Sequence, residues 1–282
     1  MFPTLFKLGP LVIYSYGVCL VLAFLIGLFF VWKAGREENF EEEDLLSGCF
    51  QVLVFSFIIA RLGYVMLHFN KFGLDFWQWF NFAWDPGLEF VGSILGGGIG
   101  LWLWAKKKQW PFFKIADIMV IGVALAQGVI RLGDFLGGNF FGRPTNLPLG
   151  LSLPGSLEKR HPVQLYEMVA YFILAWSLIR LEKEYRSLVW YQDKRGEARP
   201  GFISAIYLIV LGFIRGVSHF LIDNQSLFLG LNLDQWLAVG LTIGGAGLLY
   251  SFSGRSFKLI KRSVRQQKIS QRQRIKRGAD IL

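Results

Sequence analysis

Charged residues are scarce in this 282-residue chain: Asp, Glu, Lys and Arg make up 18% of it, against about 25% in soluble domains. Cysteine is nearly absent. The two present, Cys19 and Cys49, both fall inside apolar runs, which excludes a disulfide-stapled secreted domain and any zinc-ribbon spacing. They read as small buried hydrophobes. There is no Walker loop, no Ser-His-Asp order and no recognisable metal-ligand set, so neither a nucleotide, a cofactor nor a metal is expected. What fills the chain instead is apolar: 53% hydrophobic and 16% aromatic residues. A soluble core could not hide that much apolar surface, and a disordered chain or a collagen would not carry it. The first reading is a polytopic membrane protein.

A bilayer core takes about 20 apolar residues per helix. Seven such runs are present, at 11–32, 45–67, 88–105, 115–135, 162–181, 201–222 and 234–254. The first is too long for a cleavable signal, has little positive charge before it and lacks a small-x-small site, so it is expected to stay as the first helix. The loops after the first, third and fifth runs and the tail hold 2, 4, 5 and 10 basic residues. The N-terminus and the loops after the second, fourth and sixth hold 1, 1, 3 and 0. The asymmetry predicts an outward N-terminus and a cytoplasmic tail. The expected fold class is therefore an all-α membrane bundle of seven spans (residues 1–254) with a small outer-face cap built from loops. A basic tail, 255–282, follows. The formal net charge of +10 owes much to that tail; its placement suits anionic lipid better than nucleic acid, which is not an expected partner. No internal repeat is visible, which weighs against a secondary transporter.

Charge inside a span is a functional hypothesis by default. Arg180 sits near a cytoplasmic end and can snorkel. Arg61, Arg131 and Arg215 differ. All three fall in the last third of runs that travel from inside to outside, so they approach the outer leaflet together. Guanidinium forks suit phosphate, and a phospholipid headgroup is the anion available at that depth. Tyr16 reaches the same level, as do Ser93 and the run Gly96-Gly97-Gly98. The glycines admit either a lipid or simple helix packing. His219 follows Arg215 by four residues and shares its helix face. The densest stretch is Arg131-Leu-Gly-Asp-Phe-Leu-Gly-Gly-Asn-Phe-Phe-Gly-Arg143, where Asp134 is placed to pair with Arg131 at i+3. A second, Arg160-His161-Pro-Val-Gln-Leu-Tyr-Glu167, ends the long loop 136–161; there His161 is expected to cap or dock the loop.

In order along the chain, these segments resemble the prolipoprotein diacylglyceryl transferases of bacteria. The resemblance rests on Tyr16-Gly17, Arg61-Leu-Gly-Tyr64, Ser93-Ile-Leu-Gly-Gly-Gly-Ile-Gly100, the Arg131–Arg143 and Arg160–Glu167 stretches, and Arg215. It implies an enzyme of the bacterial plasma membrane that moves a diacylglyceryl group from phosphatidylglycerol to the lipobox cysteine of an exported prolipoprotein. Arg131 and Arg215 would then grip the phosphodiester. Arg61 and Arg143 would complete the headgroup pocket or the loop fold, and Tyr16 would lie near the lipid. Asp134, Asn139, Ser93, Gly96, Gly97 and His161 fall in the stretches that would line the substrate site. The sequence departs from the family at four polar positions. Leu95 stands where a His or Tyr is common, Asp134 where Asn is usual, Asn139 where Glu is usual, and His219 where Glu is expected. With Leu95 in place, His219 becomes the preferred proton acceptor, followed by Asp134 or water. A homologue with another lipid-headgroup substrate, or a non-catalytic lipid binder or transporter, is the alternative.

Overall fold

The computed structural model describes residues 2–9, 11–81, 85, 87–140, 142–152, 158–185, 200–222 and 229–252. The basic tail lies outside the described residues. The chain opens with a hairpin of β1 (Thr4–Leu8) and β2 (Leu11–Tyr14), with Gly9 at φ +59° between them. Helices α1 (Ser15–Glu37), α2 (Glu42–Leu67), α5 (Phe90–Lys108), α6 (Phe112–Gly137), α7 (Val163–Tyr185), α8 (Phe202–Phe220) and α9 (Leu233–Phe252) are the long elements. Two four-residue helices, α3 (Phe69–Phe72) and α4 (Phe76–Trp79), lie between α2 and α5. A two-residue pair, β3 (Leu151–Ser152) and β4 (Lys159–Arg160), lies between α6 and α7.

Seven long helices among the described residues fall on the seven apolar runs. Among the described residues, α1, α2, α6 and α8 are long and apolar enough to cross a membrane. In α5 the three C-terminal lysines and the glycines dilute the apolar character, and in α7 Glu167 and Arg180 do so. One boundary needs correction. The first run does not begin as helix at residue 11: residues 11–14 are strand, and α1 starts at Ser15. Val12 and Ile13 favour extended backbone, and the hairpin is fastened by Phe2 N donating to Leu136 O (3.0 Å) and Ser15 N to Pro3 O (3.0 Å).

Packing follows the glycines. α2 packs on α5, α1 on α6, α8 on α9 and α6 on α7. A Cβ on Gly96 would strike the Phe55 carbonyl, and one on Gly92 or Gly100 would meet α2 at Ile59 or Phe55, so this i, i+4 stripe sets the α2–α5 separation. Gly27 and Gly122 face each other across α1 and α6 in the same way, a Cβ on Gly122 coming to 2.6 Å from Gly27 O. One apolar core gathers Tyr171, Leu178, Ile203 and Leu211 from α7 and α8 against α6. The other gathers Leu45, Trp104 and Ile115 from α2, α5 and α6. Apolar side chains also point outward, among them Leu25, Phe29, Leu53, Ile173, Phe213 and Ile243, as expected where lipid is the solvent.

One buried acid sets the relative height of α6 and α8. Asp117, in the second turn of α6, accepts from Gly201 N (2.6 Å), Ser204 N (2.7 Å) and Ser204 Oγ (2.6 Å) at the start of α8. It therefore caps the first amides of a neighbouring helix. Arg131 lies 14 residues beyond Asp117, and Arg215 lies 14 residues beyond Gly201. At 1.5 Å per residue both arginines stand about 21 Å from the shared anchor. The two guanidiniums are thereby brought to one depth.

Candidate active site

The far ends of α6 and α8 and the first turns of α7 and α9 converge on five charged side chains. Arg131 Nη1 donates to Asp134 Oδ2 at 2.8 Å, the expected i+3 pair, and Arg131 Nε lies 2.5 Å from Glu167 Oε2 on α7. The second oxygen of Glu167 faces Arg215 Nη1 at 3.7 Å and accepts from Ser218 Oγ. Arg215 Nη2 donates to Asp234 Oδ1 at 2.6 Å. Glu167, only 2% exposed, therefore joins two guanidiniums from different helices. Aromatic rings cover both: Phe90 lies 4.1 Å from the Arg215 carbon and Phe140 5.6 Å from that of Arg131.

Burying charge this deeply is tolerated only with partners. Two cations and three carboxylates supply them. Arg215 Nε is buried with no hydrogen-bond partner among the described residues. A buried guanidinium N–H of this kind is a position where a water, an ion or a ligand can be accepted.

His219 lies one turn beyond Arg215 and is buried. Its Nε2 faces Asp234 Oδ2 at 3.6 Å and its Nδ1 faces Asn232 Nδ2 at 3.4 Å. Asn139 closes the Arg131 end, donating from Nδ2 to Asp134 Oδ1 at 3.0 Å. Tyr16 lies against Gly133 with its ring and against Gly137 with its Cβ, beside the same end of α6. The structure thus brings Tyr16, Arg131, Asp134, Asn139, Arg215 and His219 together.

Other residues go elsewhere. The site with three arginines at one depth resolves into two, because α2 packs on α5 rather than on α6 or α8. Arg61 is wholly buried and spends its guanidinium on backbone carbonyls. Nε donates to Trp79 O (2.5 Å), Nη1 to Asp85 O (2.7 Å) and Gly87 O (2.8 Å), and Nη2 to Gln78 O (3.4 Å). Of the two roles left open for it, this geometry is the loop-holding one. The same loop carries an ion pair from Lys71 to Asp85, whose carboxylate also accepts from Tyr64 Oη at 3.2 Å. That hydrogen bond from Lys71 holds the Asp85 carboxyl below the usual carboxylate range, and Asp85 in turn raises the Lys71 ammonium.

Arg143 is exposed, and its backbone stitches the loop: N to Leu221 O (2.7 Å), O from His161 N (3.1 Å). His161 also rests beside Tyr166, with Nδ1 3.5 Å from the hydroxyl, so it docks the loop. Ser93 Oγ turns back to Phe90 O at 2.7 Å. Gly96 and Gly97 face α2, which is the packing alternative. Leu95 is 55% exposed and faces away from the bundle.

Two residues of the site were not singled out from sequence. Glu167 ends a stretch whose reading stopped at loop docking, although a carboxylate five residues into an apolar run was itself a signal. Asp234 sits in Asn232-Leu-Asp-Gln235, an N-cap signature in which Asn232 and Gln235 cap each other's amides. That signature places an acid in the first turn of α9.

The sequence profile of the prolipoprotein diacylglyceryl transferase family matches residues 3–251. The phosphatidylglycerol–prolipoprotein diacylglyceryl transferase of Bordetella avium is 32% identical over 266 residues, 90% of this chain and 96% of the relative. The enzymes of that name from Clostridium tetani and Methylobacillus flagellatus are each 31% identical, over 229 and 269 residues. Those alignments cover 78% and 88% of this chain and 85% and 95% of the two relatives. With the match running through every helix of the bundle, the chain belongs to the prolipoprotein diacylglyceryl transferase family.

Proposed function

We propose that this protein transfers the diacylglyceryl group of phosphatidylglycerol to the lipobox cysteine thiol of an exported prolipoprotein, releasing glycerol phosphate. The observation that carries the reading is the pair of arginines held side by side through Glu167, with Arg215 Nε unpartnered and buried. In the reaction the thiol S–H gives up its proton. The sulfur then bonds to the diacylglyceryl carbon that carried the phosphate oxygen. That C–O bond breaks, and its electron pair stays on the phosphate. Arg131 and Arg215 bind the phosphodiester and stabilise the charge that grows on the leaving group. Guanidinium geometry suits this better than an ammonium does, because two parallel N–H groups meet two phosphate oxygens. His219 accepts the thiol proton, since the thiolate is the nucleophile. Tyr16 and Asn139 flank the Arg131 end and line the lipid. Arg143 and His161 hold the loop between α6 and α7, and Arg61 holds the loop between α2 and α5.

The seven long helices are read as seven spans of the bacterial plasma membrane, N-terminus outward. The arginine end then lies at the outer leaflet, where a signal peptide presents its lipobox. The basic segment 255–282 is read as facing anionic lipid on the cytoplasmic side. The reading is tested with purified protein, phosphatidylglycerol vesicles and a lipobox peptide. Mass analysis should find a diacylglyceryl thioether that disappears in Arg131→Ala. No product from the wild-type chain, in vesicles where a family enzyme is active, would refute it.

A further inference from the structure

Asp234 meets two side chains that stand one turn apart on α8. Its Oδ1 takes Arg215 Nη2 at 2.6 Å, and its Oδ2 lies 3.6 Å from His219 Nε2. The carboxylate is held firmly. Asn232 Oδ1 accepts from Gln235 N at 2.8 Å, and Gln235 Oε1 accepts from Asn232 N at 3.0 Å, a reciprocal cap that fixes the first turn of α9. Asn232 also turns its amide, Nδ2, to His219 Nδ1 at 3.4 Å. The imidazole is therefore bracketed, with an acceptor facing Nε2 and a donor facing Nδ1. With a carboxylate 3.6 Å from Nε2 and an amide nitrogen 3.4 Å from Nδ1, these surroundings favour the proton on Nε2 and the lone pair on Nδ1.

Resting on the reading of His219 as the acceptor of the thiol proton, we propose that Asp234 is a positioning residue for the transfer. It orients the His219 imidazole and stabilises the imidazolium that forms there. The charges around His219 make such a partner necessary. Arg215 and, further off, Arg131 oppose a second cation, while Glu167 is already engaged by both arginines. Asp234 offsets Arg215 with one oxygen and faces the imidazole with the other. The proton balance is simple. The thiol S–H bond breaks, its proton moves to Nδ1 in place of the Asn232 contact, and it leaves on the glycerol phosphate once the thioether has formed.

The test measures transfer by the full chain in phosphatidylglycerol vesicles with a lipobox peptide, for Asp234→Asn, Asp234→Glu, His219→Ala and the double variant His219→Ala/Asp234→Asn. Asp234→Asn keeps the shape and an oxygen for Arg215 but loses the charge. It should lower kcat at least tenfold with KM for phosphatidylglycerol within twofold, and Asp234→Glu should recover a third or more of the rate. In the His219→Ala background, adding Asp234→Asn should cost less than twofold, because the residue acts through the imidazole. Wild-type kcat in Asp234→Asn would overturn the proposal. So would a loss of the same size in both backgrounds, which would assign Asp234 to Arg215 alone. His219→Ala at the wild-type rate would instead remove the proton-acceptor reading itself, and this one with it, so the two failures are separable.

Discussion

Glu167 governs what the two arginines can do. A carboxylate that is 2% exposed cannot remain charged without cations around it, and two cations from separate helices could not approach without a carboxylate between them. Replacing it with Gln leaves both guanidiniums in excess. Breaking a buried pair in this way costs about 3–5 kcal/mol, so Glu167→Gln should lower the thermal unfolding midpoint of the detergent-solubilised protein and abolish transfer. An unchanged midpoint would contradict that role. The loop held by Arg61 is also tied down by charge. Asp85 has its carboxyl lowered by Lys71, so its contribution is complete above the unfolded value of about 3.9 and is lost as pH falls through the lower folded one. Lys71 is raised by Asp85, so its share is complete below about 10.4 and is lost only above that. Between those limits the loop should resist protease. Acidification below about pH 4 should expose it, and Asp85→Asn should be sensitive at every pH. The Arg131–Asp134 pair was legible from sequence because i, i+3 neighbours meet on any helix. The partners of Glu167 and Asp234 were not, because they come from helices whose order in space no local pattern reveals.

The long helices were legible because each carries its own record: about 20 apolar residues broken by polar or basic turns. The hairpin was missed for the same reason. Residues 11–14 continue the apolar run into α1 without a break, and hydropathy does not distinguish a strand from the first turn of a helix. The glycines were read as open between lipid contact and packing, and the structure separates them by face. Gly96 lies against the Phe55 carbonyl, whereas Gly98 has open space around a Cβ. Gly96→Leu should therefore force α5 from α2 and reduce the yield of folded protein severely. Gly98→Leu should be nearly neutral, as measured by monodisperse recovery in detergent. Equal behaviour of the two variants would show that the α2–α5 contact does not depend on that stripe. Arg61 follows from the same packing choice, since α2 on α5 carries its guanidinium to the loop 69–87 and away from α6 and α8.

At the scale of the molecule, one end of the bundle carries the anchor and the other gathers the buried charges. Asp117 fixes the starts of α6 and α8 to each other, and an equal count of residues from that anchor delivers Arg131 and Arg215 to one depth. The N-terminal hairpin and the Arg143–His161 loop backbone are tied down at the same end, through Leu136 and Leu221. Four polar positions that differ from the family's usual pattern do not empty that site. Asp134 binds both Arg131 and Asn139, His219 lies with Asp234, and Leu95 points outward. In the proposed reaction, two guanidinium forks at this end stabilise the departing phosphate. The rate of thioether formation in Arg131→Lys and Arg215→Lys, each reconstituted in phosphatidylglycerol vesicles with a lipobox peptide, tests the claim. Lysine keeps the charge but not the paired donors, so each variant should lose at least about a hundredfold in kcat, the scale on which a single oxyanion donor acts. Wild-type rates in both would contradict the claim.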